Sequence, residues 1–315
     1  MSLPELPYGA WRPTRDTLHL WVQVVGKVKL AATPPRNHWW NAALHLDPYG
    51  LTTRRLHRDG VSFSIDFDFT RHRLRVRTSR GEEDGFELHD GLAVAEFHAQ
   101  LHGVLERLGV GVETVDVPFA TPVSDIPFHQ DRTHASYDPE WVARFWRVLD
   151  WSDWVLERFA GWYCGKTSPV NVFWHSFDLA VTRFSGRRAD VPAGADPVTR
   201  EAYSHELISF GFWPGDANVP EASFYSYTAP EPDGLRSMPL APAEAGWQEG
   251  PAGSMARVSY EAVRSSPDPE RALLAFLQSA YEAGARGAEW EQEELASSWC
   301  PAAGELRELT RTGAA

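Results

Sequence analysis

The sequence predicts an α+β protein, built as a tandem duplication of a helix, an antiparallel sheet and a closing helix. Three observations predict it. Stretches with helical spacing flank groups of short β-rich stretches, the order expected when helices cover antiparallel sheets. The segment "VSFSIDFDFTRHRLRVRT" folds back on itself as a hairpin with one apolar face. A pattern also recurs: Gly26-Lys27 precedes Pro35, Asn37 and Trp40, and Gly165-Lys166 precedes Pro169, Asn171 and Trp174. In both copies Pro and Asn are two apart and Asn and Trp three apart, the sign of an internal repeat. Chance likeness between two short matches is the alternative. The expected units are 14–117 and 139–290, joined by a Pro-rich linker, 118–138, and followed by a mobile Ala/Gly-rich tail, 291–315.

The elements follow in order. In "TLHLWVQVVGKVKLA", Leu18, Trp21 and Val25 mark a helix running into Gly26-Lys27. In the hairpin, a turn at Thr70-Arg71 places Asp68 opposite Arg73, Asp66 opposite Arg75, Phe67 opposite Leu74 and Ile65 opposite Val76. With arginines opposite, Asp66 and Asp68 read as a solvated or partner-facing charge ladder rather than an acid–base pair or a metal site. "AVAEFHAQLHGVLERLGV" closes the first half as a helix.

The second half opens on "DPEWVARFWRVLDWSDWVLERFAGWY". Val142, Phe145, Trp146, Leu149, Val155, Leu156 and Phe159 recur near helical spacing, with Asp138 as N-cap and Pro139 at the first helical position. Gly165 is expected to end this helix and Lys166 to neutralise its C-terminus. "VNVFWHSFDLAVTRF" reads as one strand, followed by strands in "AYSHELISFGFWPG", "ASFYSYTAP" and "SMARVSYEAV" and a helix in "PERALLAFLQSAYEAGA". Residues 230–253 read as a long loop.

Composition excludes several functions. The 315 residues are 43% hydrophobic and 23% charged, with a formal net charge of -13. That balance opposes non-specific binding to nucleic acid and to anionic membranes. No apolar run approaches the roughly 20 residues that span a bilayer, and no secretory signal is visible. Two cysteines, Cys164 and Cys300, lie far apart, without a structural zinc motif or a disulfide framework. The expectation is a cytoplasmic protein. "GWYCGKTSPVNVFW" ends like a phosphate-binding P-loop, but Gly161 and Gly165 have three residues between them instead of four, and the order is helix then strand. "LGVGVE" falls short of a Rossmann fingerprint. "HELIS" at His205 lacks the second His of a zinc protease, having Ser209 there. His129 and Asp131 with His134 or His205 match the loose form of a two-His, one-carboxylate site, for which a polar linker is the plainer reading. Whether a metal binds is left open.

Strand parity supplies the site expectation. Along 171–183, Phe173, Phe177, Leu179 and Val181 share one face; Trp174, Ser176, Asp178 and Thr182 share the other. Along 203–213, Ile208, Phe210 and Phe212 oppose Tyr203, His205 and Ser209, and in "ASFYSYT" Phe224 opposes Ser223, Tyr225 and Tyr227. One sheet face then gathers Trp174, Asp178, Tyr203, His205, Tyr225 and Tyr227, with Arg183 and Arg200 near strand ends to receive an anion. In the duplication, Leu44 falls where Asp178 stands, so the polar set belongs to the second half or to the seam, where His38 and His134 can join. The expectation is an enzyme acting on a small polar or anionic molecule. His205 would be its general base or metal ligand, oriented by Asp178, with Tyr203 and Arg183 beside them. Trp174, Tyr225, Tyr227, Arg200, His38 and His134 would bind the ligand. A non-catalytic small-molecule-binding or protein-interaction module is the alternative, and a buried hydrogen-bonded network is the structural one.

The stretches "TLHLWVQVVGKVKLA", "NHWWNAAL", "HASYDPEW", "GKTSPVNVFWHSFDLAVTRFSGR", "TREAYSHE" and "FYSYTAPEPDG" resemble an uncharacterised bacterial family of domain-of-unknown-function type, the one numbered 5996. The resemblance runs from about Trp11 to Trp290. It implies no activity, substrate or cofactor, and no functional residue is carried over from it. It does imply a small residue where this chain has His175, which makes His175 a poor candidate for a shared role.

Overall fold

A computed structural model describes residues 2–191, 194–250 and 253–298. The helices are α1 (Tyr8–Ala31), α2 (Val94–Arg107), α3 (Pro139–Ala160), α4 (Pro197–Ala202), α5 (Tyr260–Arg264), α6 (Pro269–Gly287) and α7 (Gln292–Leu295). The strands of the first half are β1 (His45–Asp47), β2 (Gly50–Thr52), β3 (Leu56–Arg58), β4 (Val61–Asp68), β5 (Arg73–Thr78) and β6 (Glu83–Glu87). Those of the second are β7 (Asn171–Phe173), β8 (Asp178–Arg188), β9 (His205–Trp213), β10 (Ser223–Ala229), β11 (Gly246–Gly250) and β12 (Gly253–Ser259). The first sheet runs β1-β2-β4-β5-β6, with β3 also on β4; the second runs β11-β12-β10-β9-β8-β7. All pairings are antiparallel, so the α+β class holds.

The second sheet places its apolar face as parity requires. Leu179, Val181, Ile208, Phe210, Phe212 and Phe224 are at most 1% exposed and face the helical layer of α3 and α6. The long helix α3 starts where its sequence says. The Asp138 carboxylate accepts the amides of Glu140 and Trp141, and Pro139 follows. In the first half, Trp21 of α1 stacks on Phe97 of α2 at 5.0 Å, and Phe97 stacks on Phe67 of β4 at 6.0 Å. The sheets meet at a two-bond bridge: Leu44 N donates to Val172 O at 2.8 Å, and Val172 N to Leu44 O at 2.9 Å.

Four expectations need correction. Gly26 does not end α1, which continues to Ala31. A Cβ on Gly26 would overlap the Trp174 indole, so the glycine is a seat for that ring. α3 ends at Ala160, and Lys166 lies away from its end, donating through Nζ to His38 Nε2 at 2.6 Å. The single strand expected over 170–184 is β7, a turn and β8, with Phe177 in the turn at φ 60°. The 230–253 loop carries β11.

The stronger reading, a tandem duplication, is not confirmed. Trp40 precedes the first sheet, on the residue that caps a 3-10 turn, whereas Trp174 follows β7 in the β7–β8 turn. The matched spacing therefore labels unlike elements. The start of the expected tail carries α7, and Ala296 bridges Tyr163; residues 299–315, Cys300 included, lie outside the described residues.

Candidate functional site

The face of the second sheet turned away from α3 and α6 forms the floor of a cavity of about 370 Å³ at the seam between the halves. β8 contributes Asp178, Ala180, Thr182 and Phe184; β9 contributes Leu207 and Ser209; β10 contributes Tyr225 and Tyr227. The walls come from the first half and from α4: Lys27 and Leu30 of α1, His38, Trp39 and Trp40 after it, and Val198, Thr199 and Ala202. Phe119, from the Pro-rich linker, closes the end beside Trp174 and His175. A larger cleft of about 490 Å³ lies between Pro4 and α3. Its Arg144 is already paired with Glu140, and no buried titratable group faces it.

α1 fixes the Asp178 end. His19, 1% exposed, donates through Nε2 to the carbonyls of Trp174 and His175 at 3.1 Å each and stacks on Phe177 at 4.8 Å. Burial pushes the His19 pKa well down, so the ring is a neutral clamp on the β7–β8 turn. One turn along, Gln23 accepts Phe119 N at 2.8 Å and donates to Phe119 O at 3.1 Å, which fixes the linker over the cavity. Trp174 Nε1 donates to Ala42 O at 3.0 Å, so its indole spans from Gly26 to the loop before β1.

Asp178 is 8% exposed. Ser176 Oγ donates to one of its oxygens and Tyr225 Oη to the other. Neither donor is charged, and among the described residues no cation makes an ion pair with Asp178. Burial raises its pKa; the hydroxyl hydrogen bonds and the field of His175 oppose that rise. His175 is itself shifted down by burial, against the pull of Asp178. Tyr225 reaches Asp178 because β9 has Gly211 between them: a Cβ there would stand 2.6 Å from Tyr225 Oη. Tyr227 lies beside Tyr225, rings stacked at 6.3 Å, and receives the Tyr203 hydroxyl at 3.4 Å.

The far end is built on His38. Its ring accepts from Lys166 at Nε2 and faces Ala202 O through Nδ1 at 3.3 Å, which places the proton on Nδ1. Lys166 rests on Phe184 at 4.8 Å and Trp40 at 5.5 Å from the ring centroids. Burial lowers the pKa of His38 and of Lys166.

Of the expected site residues, Asp178, Trp174, Tyr203, Tyr225, Tyr227 and His38 line the cavity. Four do not. His205 shares the face of Asp178, but at the opposite end of the sheet. Leu179, next to Asp178, pairs with Phe212, whereas His205 pairs with Arg188. His205 lies seven positions from Phe212, roughly 23 Å along the strand. Asp178 therefore cannot orient His205, whose Nδ1 meets Ser204 Oγ at 3.1 Å. Arg183 falls on the helix-covered face with Leu179 and Val181, as parity requires. It is 1% exposed, its guanidinium lies 3.6 Å from the Phe159 ring centroid, and it donates to Phe159 O. Arg200 is exposed on α4, outside the cavity. His134 is held by Asp131 at 2.8 Å at the start of α2.

The two-His, one-carboxylate grouping also divides. His134 pairs with Asp131, while His129 turns to Asp116. Among the described residues no three His, Cys, Asp or Glu side chains could hold a metal ion, and no helix is long and apolar enough to cross a membrane. Sequence reasoning missed Lys27, Phe119 and His175. Lys27 was hidden by the reading of Gly26 as a helix end. Phe119 lies in a linker, and its place depends on a contact 96 residues away in the chain, to Gln23.

No curated protein and no solved structure matches the chain. The model of a family of unknown function, DUF5996, matches residues 3–297, and the chain belongs to that family.

Proposed function

We propose that the seam cavity is a small-molecule site and that the protein is an enzyme in which Asp178 takes and returns a proton. One observation carries this reading. A buried carboxylate faces an aromatic-walled cavity and is held by two neutral hydroxyls, and among the described residues no cation forms an ion pair with it. Leaving a charge in that state costs free energy. Its raised pKa brings the group closer to the range in which a carboxyl can act as both acid and base. Tyr225 holds the carboxylate at one oxygen, and the aromatic walls exclude water from the reacting group. His175 stands beside it as the nearest imidazole that acts on its charge. His205 takes no part in this arrangement.

A receptor without catalysis is the second reading, favoured by the neutral clamps His19 and Gln23, which make the cavity rigid. Incubating the purified protein with a metabolite extract, followed by mass spectrometry, separates the two. Catalysis predicts compounds consumed by the wild type and spared by Asp178→Asn, with turnover reduced about 10²–10⁴-fold. Retention without consumption supports the receptor. Identical behaviour of wild type and variant towards every compound removes the site.

A further inference from the structure

A carboxyl and an ammonium group open into the seam cavity, and among the described residues neither makes an ion pair. Asp178 is held by the hydroxyls of Ser176 and Tyr225. Lys27, in the last two turns of α1, places its ammonium 5.5 Å from the centroids of both Phe119 and Trp174. It makes no hydrogen bond and no ion pair with a described residue. Ring faces orient an ammonium but do not neutralise it. The two groups also do not pair with each other. The carboxylate is tied to β10 by Tyr225, and the lysine is held against the linker ring that Gln23 fixes.

On the reading that this cavity is a small-molecule site, we infer that its ligand is amphoteric, with an amine that pairs with Asp178, a carboxylate or similar anion that pairs with Lys27, and a planar apolar body that packs on the cavity's aromatic rings. The chemistry of the cavity selects against the simpler classes. A purely anionic ligand would bring its charge towards Asp178, and a purely cationic one would bring its charge towards Lys27. A neutral ligand would leave both protein charges desolvated and unpaired. An amphoteric ligand supplies both partners in one molecule. Trp174, Phe173 and Tyr225 line the space with ring surface suited to a flat body.

Four probes that share a phenyl ring and differ in their charged groups test the inference by isothermal titration: L-phenylalanine, phenethylamine, 3-phenylpropionate and benzyl alcohol. The wild type is expected to bind L-phenylalanine at least ten-fold more tightly than each of the other three. Asp178→Asn should reduce L-phenylalanine to the level of 3-phenylpropionate, and Lys27→Met should reduce it to the level of phenethylamine. If Lys27→Met does not fold, the wild-type ranking alone decides. Benzyl alcohol binding as tightly as L-phenylalanine would overturn the inference and leave the small-molecule site standing. Silence from all four overturns the inference. Joined to an extract from which the protein retains and consumes nothing, it removes the site as well.

Discussion

The two sheets each bury carboxylates on one face and treat them in opposite ways. In the first sheet, Asp66 and Asp68 are 4% and 2% exposed, where a solvated or partner-facing ladder was expected. Their strands pair in the expected register, Asp66 with Arg75 and Asp68 with Arg73. The ion pairs run diagonally instead, Arg77 to Asp66 at 2.8 Å and Arg75 to Asp68 at 3.6 Å. Hydroxyls of Thr52 and Ser64 complete Asp66; Thr70 and the Arg71 amide complete Asp68, which caps the hairpin turn. In the second sheet, Asp178 has comparable burial and no arginine. Burial pushes Asp68 up, but the Thr70 and Arg71 bonds outweigh it and its pKa is lowered; Asp178 is raised. Burial alone therefore does not mark a working carboxylate. What separates Asp178 from Asp68 is the partner set and the cavity beside it, on which the proposed role rests.

The largest expected effect breaks the comparison by substitution. Asp68→Ala removes a turn cap and the anion that Arg71 pairs with, while Arg75 keeps Glu83, so it should destabilise by about 1–3 kcal/mol. It should leave ligand retention unchanged. Asp178→Asn should do the reverse, abolishing consumption or retention while preserving or raising stability, because it removes an uncompensated buried charge. Chemical denaturation and the extract assay on both variants check this. Equal loss of stability in the two would make Asp178 a structural group like Asp68.

Gly211→Ala tests the geometry that holds Asp178. The added methyl would stand 2.5 Å from the Leu179 carbonyl oxygen and 2.6 Å from Tyr225 Oη, so the strands must shift and Tyr225 must give way at Asp178. Overpacking of this kind costs about 1–3 kcal/mol. Tyr225→Phe removes the hydroxyl without the clash. If Tyr225 positions Asp178, both variants should impair consumption. If only Gly211→Ala does, the effect is strain.

The pH dependence of stability should have opposite signs in the two sheets. A carboxyl whose folded pKa is raised contributes stability below its unfolded value, near 3.8, and that contribution is lost as pH rises through the folded pKa. A carboxyl whose folded pKa is depressed contributes above the unfolded value and loses the contribution as pH falls through the folded pKa. The advantage of Asp178→Asn over wild type should therefore grow as pH rises above about 4. The deficit of Asp68→Asn should shrink as pH falls below it. Melting temperatures across pH 3–8 read both slopes, and parallel slopes would contradict the contrast.

Much of this contrast was legible in the sequence because it depends on local rules. Alternation along β8, β9 and β10 puts Asp178, Ser209, Tyr225 and Tyr227 on one face, and the hairpin register follows from its turn; the same alternation, not applied to Arg183, puts that residue on the other face, where it was not expected. What was not legible depends on position along a strand and on distant contacts. Parity says which face a residue occupies and nothing about its level, so His205 and Asp178 looked like neighbours. Gly26 reads locally as a helix end, and its real partner, Trp174, is 148 positions away in the chain. The repeated Gly-Lys spacing encouraged the same error twice: one glycine seats a ring and the other packs on Tyr163 and Leu295.

The smallest expected effect separates the two ends of the sheet face. His205 sits at the edge of β9, with its ring 5.5 Å from His38 in an edge-to-face contact and outside the cavity lining. Burial and the nearby cations Lys166 and Arg188 lower its pKa, so it is neutral at pH 7 and brings no charge to the cavity. His205→Ala removes one ring contact and the contact with Ser204 at a partly exposed position. It should change stability by no more than about 0.5 kcal/mol, the range of ordinary surface substitutions. Affinity for L-phenylalanine should stay within two-fold of wild type, since His205 meets neither Asp178 nor Lys27. His38→Ala is the matching control. It strips the Lys166 contact from a residue that does line the cavity, and it should weaken binding more than His205→Ala does. A His205→Ala variant that lost activity as completely as Asp178→Asn would place the working end of the cavity at His38 and return His205 to the chemistry.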